Sequence, residues 1–295
     1  MPENGEEKKM KKFLVLIVFA MIMIFALSCG NEKKSSGYEL ALITDVGTID
    51  DRSFNQGSWE GLKKYAEEKG ITHKYYQPTE KTTDAYIDSI DLAVAAGAKI
   101  VVTPGFLFEP AIYKAQDIHP EVNFVLLDGS PQDGNYKDFR IEKNVYSVFY
   151  AEEEAGFLAG YGAVKEGYTN LGFMGGMAVP AVVKFGYGFV QGVNYAAKEF
   201  GIKNVKVDYN YLGGFNPSPE IQTKAASWYR NGVQVIFVAG GGAGNSVMSA
   251  AEQNNGYVIG VDVDQSSESP TVITSAMKMI GESVYNAIDE FYKGN

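Results

Sequence analysis

From residue 39 onward the chain alternates between two hydrophobic rhythms. Short runs rich in Val, Ile, Leu, Phe and Tyr read as strands at 39–44, 73–77, 99–105 and 122–128. Between them, 54–69, 84–96 and 110–118 carry apolar residues at helical spacing. In the first of these, Phe54, Leu62, Tyr65 and Ala66 recur on one face and Gly70 closes the helix; Gly97 closes the second. Strand, helix and strand in strict alternation predict a parallel sheet covered on both faces. The rhythm breaks at 141–150, where an extended run leads straight into a helix at 152–165, and the first crossing between two lobes is expected there. It then restarts, with strands at 169–176, 205–212, 233–241 and 256–262 and helices at 181–200, 220–230 and 244–253. A further β-rich stretch, 271–277, and a helix from Lys278 to about Tyr292 follow. The expectation is an α/β protein of two lobes, 38–149 and 150–270, each a parallel sheet flanked by helices. Residues 271–295 form a crossing strand and helix.

The first 37 residues follow another pattern. Lys11 and Lys12 precede an unbroken apolar run at 13–27, which ends in Ala26-Leu27-Ser28-Cys29. A basic start, a short apolar stretch and small residues before a cleavage point make a secretory signal peptide over 1–28. The run is shorter than the ~20 residues of a bilayer-spanning helix. A lone cysteine closing such a run resembles a lipobox, with Cys29 lipidated as the mature N-terminus; the alternative is an uncleaved anchor with an incidental cysteine. Residues 29–37 are small, polar and charged, as in a flexible tether. Cys29 is the single cysteine, so the fold contains no disulfide. Cleavage would remove four lysines and three glutamates, leaving 22 basic and 33 acidic residues and a net charge of −11. That balance argues against nucleic acid and polyanionic ligands.

In open α/β sheets, ligands bind at the carboxyl ends of the strands. Asp45, Asp128 and Asp262 each end a predicted strand. As acceptor-only groups they suit a neutral ligand rich in donors, such as a sugar hydroxyl or a base amino group, although an Asp at a strand end is also a common cap or turn residue. Residues 173–176 and 239–245 are glycine-rich strand-to-helix turns. The second resembles a phosphate loop but lacks the Lys-Ser/Thr of that motif, which leaves close approach of the backbone to a neutral ligand, or plain turning. Phe54, Phe185, Tyr187 and Phe189 are either core residues or rings at the mouth of the cleft that stack a planar ligand. Catalytic chemistry is thinly represented. His73 and His119 are the only histidines, no serine elbow or metal-spaced cluster occurs, and Asp262-Val263-Asp264 lacks the rest of a calcium loop. Neither an enzyme nor a bound cofactor or metal is expected.

Residues 44–61 (TDVGTIDDRSFNQGSWEG), 238–245 (VAGGGAGN) and 258–265 (VIGVDVDQ) resemble the basic membrane protein family of bacterial lipoproteins, which includes purine nucleoside receptors. The resemblance runs from about Glu39 to Tyr292. It implies a type I periplasmic-binding-protein fold. It also implies capture of a purine nucleoside of the guanosine, inosine and adenosine class, delivered to an ABC transporter permease from the extracytoplasmic face of the cell membrane. Carried over by position, Asp45 and Asp128 would read the purine edge, and Phe54 and Phe185 would sandwich the base. Asp262 and Lys278 would hold the ribose hydroxyls, with backbone from Gly240 or Gly241. Family members usually continue past the last helix with another strand and a glycine-rich segment, so a C-terminal truncation is expected. Two other functions are weighed: a sugar or autoinducer receptor of the same fold, and, more distantly, a nucleoside hydrolase.

Overall fold

The structure is a computed structural model that describes residues 38–294 apart from Val46. The apolar run, Cys29 and the tether lie outside the described residues. The chain builds β1 (Leu40–Ile43), α1 (Phe54–Lys69), β2 (His73–Tyr76), α2 (Thr83–Ala95) and β3 (Ile100–Pro104). One 3-10 turn (Phe106–Phe108) then leads into α3 (Glu109–Ile118), β4 (Asn123–Leu127) and β5 (Val145–Val148). These strands form an all-parallel sheet in the order β2-β1-β3-β4-β5. After α4 (Glu152–Lys165) come β6 (Asn170–Gly175), α5 (Pro180–Glu199), β7 (Lys206–Tyr211), α6 (Pro219–Arg230), β8 (Val235–Ala239), α7 (Ala243–Asn254), β9 (Tyr257–Asp262), β10 (Val272–Met277) and α8 (Ile280–Lys293). The second sheet, also parallel, runs β10-β9-β8-β6-β7.

The two orders are the same order. In each sheet the first two strands lie to one side and the later ones to the other, so the winding reverses between β1 and β3 and again between β6 and β8. A ligand crevice opens at the carboxyl ends at such a reversal. The alternation of side chains explains why both faces are covered. Ala41, Ile43, Val101, Phe124 and Leu126 face α2 and α3. Their neighbours Leu40, Leu42, Ile100, Val102, Val125 and Leu127 face α1 and α8. In the second sheet, Phe173, Val235 and Phe237 pack on α4 and α5, and Met174, Ile236 and Val238 on α6 and α7.

Two boundaries move. β10 is hydrogen-bonded along β9, with Val272 and Ala276 buried, so the second sheet continues to Met277, past the expected boundary at 270. The last helix starts at Ile280 rather than at 278. Its buried Ile280, Val284, Ala287 and Ile288 complete the core of the first lobe. The chain therefore passes from one lobe to the other at 278–279, which puts Lys278 on a crossing segment.

α4 and α5 pack closely because glycines face backbone on both helices. A Cβ on Gly188 would fall 2.0 Å from the Glu153 carbonyl oxygen, and one on Gly160 would fall 2.2 Å from that of Phe189. Gly162, two residues on from Gly160 and so on the opposite side of α4, would meet nothing. Alanine favours helix over glycine by about 1 kcal/mol. Gly162→Ala should therefore stabilise by about that amount, whereas Gly188→Ala should destabilise by about 1–3 kcal/mol through overpacking. Thermal melts of the two variants should move in opposite directions; parallel shifts would show that the close approach is unimportant.

Candidate ligand cleft

The carboxyl ends of both sheets open onto one cavity of about 290 Å³. All eight candidate positions line it: Asp45, Phe54, Asp128, Phe185, Gly240, Gly241, Asp262 and Lys278.

Asp45 lies just past β1. Its Oδ1 accepts hydrogen bonds from the Gly47 N–H at 2.7 Å and from Asn55 Nδ2 at 2.9 Å. Burial pushes its pKa up, against the pull of those two bonds. Phe54 opens α1, and its placement depends on Asp51. Asp51 Oδ1 accepts from the Ser53 and Gln56 N–H groups, and its Oδ2 accepts from the Asn55 N–H. Asp51 is thus the acid at the positive end of α1.

Asp128 and Asp262 are structural counterparts. β4 and β9 occupy the same place in their sheets, and each ends in an aspartate with left-handed backbone, φ 55° and 69°. Aspartate tolerates this conformation better than most residues, and the turn re-aims each carboxyl away from its strand. Asp262 Oδ2 accepts the Ser53 hydroxyl across the lobes at 2.5 Å, and burial raises its pKa. Asp128 Oδ2 lies 2.5 Å from Lys278 Nζ, while its Oδ1 is buried with no hydrogen-bond partner. Burial pushes Asp128 up to about 7 even against the neighbouring ammonium.

Lys278 is the centre of the cluster. Its side chain is 3% exposed, and Nζ also lies 3.0 Å from Glu152 Oε1. Burial favours the neutral amine, but Asp128, Asp262 and Glu152 reverse that and hold the lysine as an ammonium. Phe54, Tyr150 and Phe185 turn their rings toward Nζ at 4.9, 5.1 and 5.3 Å, within cation–π range. The two phenylalanines are not equivalent. Phe54 is half-buried, whereas Phe185 is 2% exposed and stands edge-on to Phe237 at 5.8 Å, a core ring with one side on the cleft. Of the other aromatics weighed, Phe189 is core and Tyr187 is exposed.

In the glycine turn after β8, part of the backbone is already engaged within the turn. The N–H groups of Ala243, Gly244 and Asn245 already donate to the carbonyls of Gly240, Gly241 and Gly242. Gly241 has φ 53°, which turns the chain sharply beneath Phe215. Sequence reasoning missed Phe106, Phe215 and Asn245 as further lining residues. It also missed Glu152 and Tyr150 behind them. Phe106 follows a strand-end glycine and Phe215 a Gly-Gly turn, and that signal could have found both. Among the described residues no cluster of His, Cys, Asp and Glu could hold a metal, and no helix is long and apolar enough to cross a membrane.

An ABC transporter nucleoside-binding protein, BmpA, of Lactococcus lactis is 31% identical over 285 residues, covering 89% of this chain and 77% of that one. Basic membrane protein A1 of Borrelia garinii is 30% identical, covering 97% and 82%. Among solved structures, an ABC transporter solute-binding protein of Aeropyrum pernix superposes with a TM-score of 0.75 at 26% identity, covering 87% and 71%. The fold is thus the two-lobed type I periplasmic-binding-protein architecture. Residues 38–295 match the family described as PnrA-like ABC transporter substrate-binding proteins, and the chain belongs to that family, a family of binding proteins rather than enzymes.

Proposed function

We propose that the chain captures a purine nucleoside, of the guanosine, inosine and adenosine class, between its lobes. It then presents the ligand to an ABC importer's permease while tethered to the extracytoplasmic face of the cell membrane by a lipid on Cys29. The observation that carries this reading is the Asp128 carboxyl, buried with Oδ1 unpartnered, in one cleft with the rings of Phe54 and Phe185. A buried acceptor without a partner is costly, and a ring N–H or amino group would satisfy it. Phe54 and Phe185 offer faces for the flat base, and Asp45 adds a second acceptor at its edge. Asp262 accepts from the ribose hydroxyls. Lys278 has three donors; Asp128 and Glu152 engage two, leaving one for a ribose oxygen. Gly240 and Gly241 let backbone approach the sugar without side chains in the way. The 31%-identical relative named as nucleoside-binding supports the same ligand class.

Calorimetry with inosine, hypoxanthine and inosine monophosphate tests the reading. Inosine should bind tightest. Hypoxanthine lacks the diol and should be weaker. The monophosphate brings a further negative charge among Asp45, Asp128 and Asp262 and should also be weaker. Tightest binding of the monophosphate would contradict the acidic-cleft assignment.

A further inference from the structure

The stretch 258–265 ends in Gln265, which does not line the cleft and is only 2% exposed. Gly260 makes room for it, since a Cβ there would fall 2.6 Å from Gln265 Oε1. Within the second lobe, Oε1 accepts the Val261 N–H at 3.0 Å, and the Gln265 N–H donates to Ser275 Oγ at 3.1 Å. The other end of the amide crosses to the first lobe, where Nε2 donates to the Arg52 carbonyl oxygen at 2.8 Å. Arg52 has left-handed backbone, φ 57°, a region that residues with a side chain seldom occupy. Its turn is fixed from within the first lobe. The Arg52 N–H donates to Gln56 Oε1, and Asp51 accepts from the N–H groups of Ser53, Asn55 and Gln56. The Arg52 side chain also crosses, with Nη1 2.5 Å from Glu268 Oε2 on the turn after Gln265. Together with the Ser53–Asp262 bond, Arg52 and Ser53 are thus joined to Asp262, Gln265 and Glu268 of the other lobe.

These ties stand on one side of the cleft. They lie beside the crossing at 278–279: a Cβ on Gly57 in α1 would fall 3.0 Å from Val263 Cγ1 and 3.6 Å from Ile280 Cβ. From the same crossing Lys278 reaches Asp128. The opposite rim is formed by the loops after β6, β7 and β8, whose residues 179–181, 215–217 and 240–242 line the same cavity. Among the described residues, no hydrogen bond or ion pair joins those loops to the first lobe.

We propose that Gln265, with the Arg52–Glu268 pair, is a positioning residue: it ties the Arg52–Ser53 turn to the end of β9, so that the lobes stay together there and part only along the opposite rim. Phe54 follows the tied turn directly, and Asp262 ends the tied strand. Two cleft residues from different lobes therefore keep their spacing before a ligand arrives, and a site assembled in advance loses less affinity to ordering. The ligand enters and leaves by the untied rim. The tie does not depend on what the ligand is; its kinetic test uses inosine and rests on the nucleoside reading above.

The test is made in the full chain carrying Cys29→Ser, so that introduced thiols are the only ones. In Gln265→Leu the ligand-free protein should show a larger radius of gyration in X-ray scattering than its parent. Tritiated inosine, chased with unlabelled inosine, should leave it about tenfold faster, the worth of one hydrogen bond between neutral groups. Arg52→Cys with Glu268→Cys removes the ion pair, and a short bis-methanethiosulfonate bridge between the two thiols replaces it with a covalent tie. The bridged protein should take up inosine at the parent's rate and release it as slowly as the parent, and a reductant should undo the slow release. Thr48→Cys with Asn216→Cys puts thiols on exposed residues of the untied rim, one on each lobe. Bridging these before ligand is added should slow uptake at least tenfold. Opposite results from the two bridges cannot come from misfolding, and they decide the matter if Gln265→Leu fails to fold. A bridge at 52 and 268 that blocks uptake, or one at 48 and 216 that leaves it unchanged, would overturn the proposal. If the parent itself bound no inosine, the nucleoside reading would fail. Scattering would then decide the tie alone, with an unchanged radius of gyration in Gln265→Leu overturning it.

Discussion

Lys278→Met should destabilise the protein by about 3–5 kcal/mol, the usual cost of leaving buried charges without their partner. Three carboxyls face this one ammonium from inside the protein: Asp128, Glu152 and Asp262. Lys184 touches only Glu152 among them and is 43% exposed, so it is a poor substitute. Met preserves most of the volume but removes the ion pairs and the cation–π contacts with Phe54, Tyr150 and Phe185, so the loss reports charge rather than packing. The loss should depend on pH, with a definite sign. Burial raises Asp128 above its ordinary value of 3.8 to about 7. A group raised in the folded state contributes stability that is fully present below its unfolded value and is lost as pH rises through the folded value. Without Lys278 the carboxyls rise further, so protonation relieves more of the damage at low pH. Urea unfolding should therefore show a larger deficit at pH 8 than at pH 5. A deficit equal at both would assign Lys278 a purely steric role.

The periodicity of the sequence showed most of the fold, because parallel strands buried on both faces are nearly unbroken apolar runs. Leu40 to Ile43 and Ile100 to Pro104 are buried throughout. The boundary of the second lobe was less legible. Val272 to Met277 has the composition of a strand, but nothing local says that its partner is β9. Nor does spacing alone say that the next helix completes the first lobe's core rather than the second's. The cleft was legible to the extent that strand ends mark it: Asp45, Asp128 and Asp262 could be picked out because each closes an apolar run. What periodicity cannot show is which charges meet. Lys278 and Asp128 are 150 residues apart, and Glu152 stands among three consecutive glutamates of identical local appearance. Only packing buries the first of them. Phe185 illustrates the opposite error, since core and cleft were weighed as alternatives for a ring that is walled in by Phe237 and yet lines the cleft.

Asp262→Asn should lower inosine affinity about tenfold while leaving hypoxanthine binding nearly unchanged. The carboxylate closes β9 at the point where the second sheet faces the first, and one oxygen is committed to Ser53 of the other lobe at 2.5 Å. The remaining acceptor capacity is what a ribose diol would use. Hydrogen bonds to a charged acceptor are worth ~1.5–3 kcal/mol, against ~0.5–1.5 for a neutral one. Exchanging charge for amide thus removes about 1–1.5 kcal/mol, and 1.4 kcal/mol is one factor of ten. Asparagine is the informative replacement because it tolerates the left-handed backbone at φ 69° and can still accept from Ser53. Alanine would add strain and break the link between the lobes. Ser53→Ala separates the two duties of the carboxylate. It removes the cross-lobe bond but frees both oxygens for the ligand, so it should reduce affinity less than Asp262→Asn does. If hypoxanthine lost affinity in step with inosine in the Asp262→Asn protein, Asp262 would act through lobe closure as a whole. Ribose recognition would then have to be sought at Lys278 and the backbone of Gly240 and Gly241.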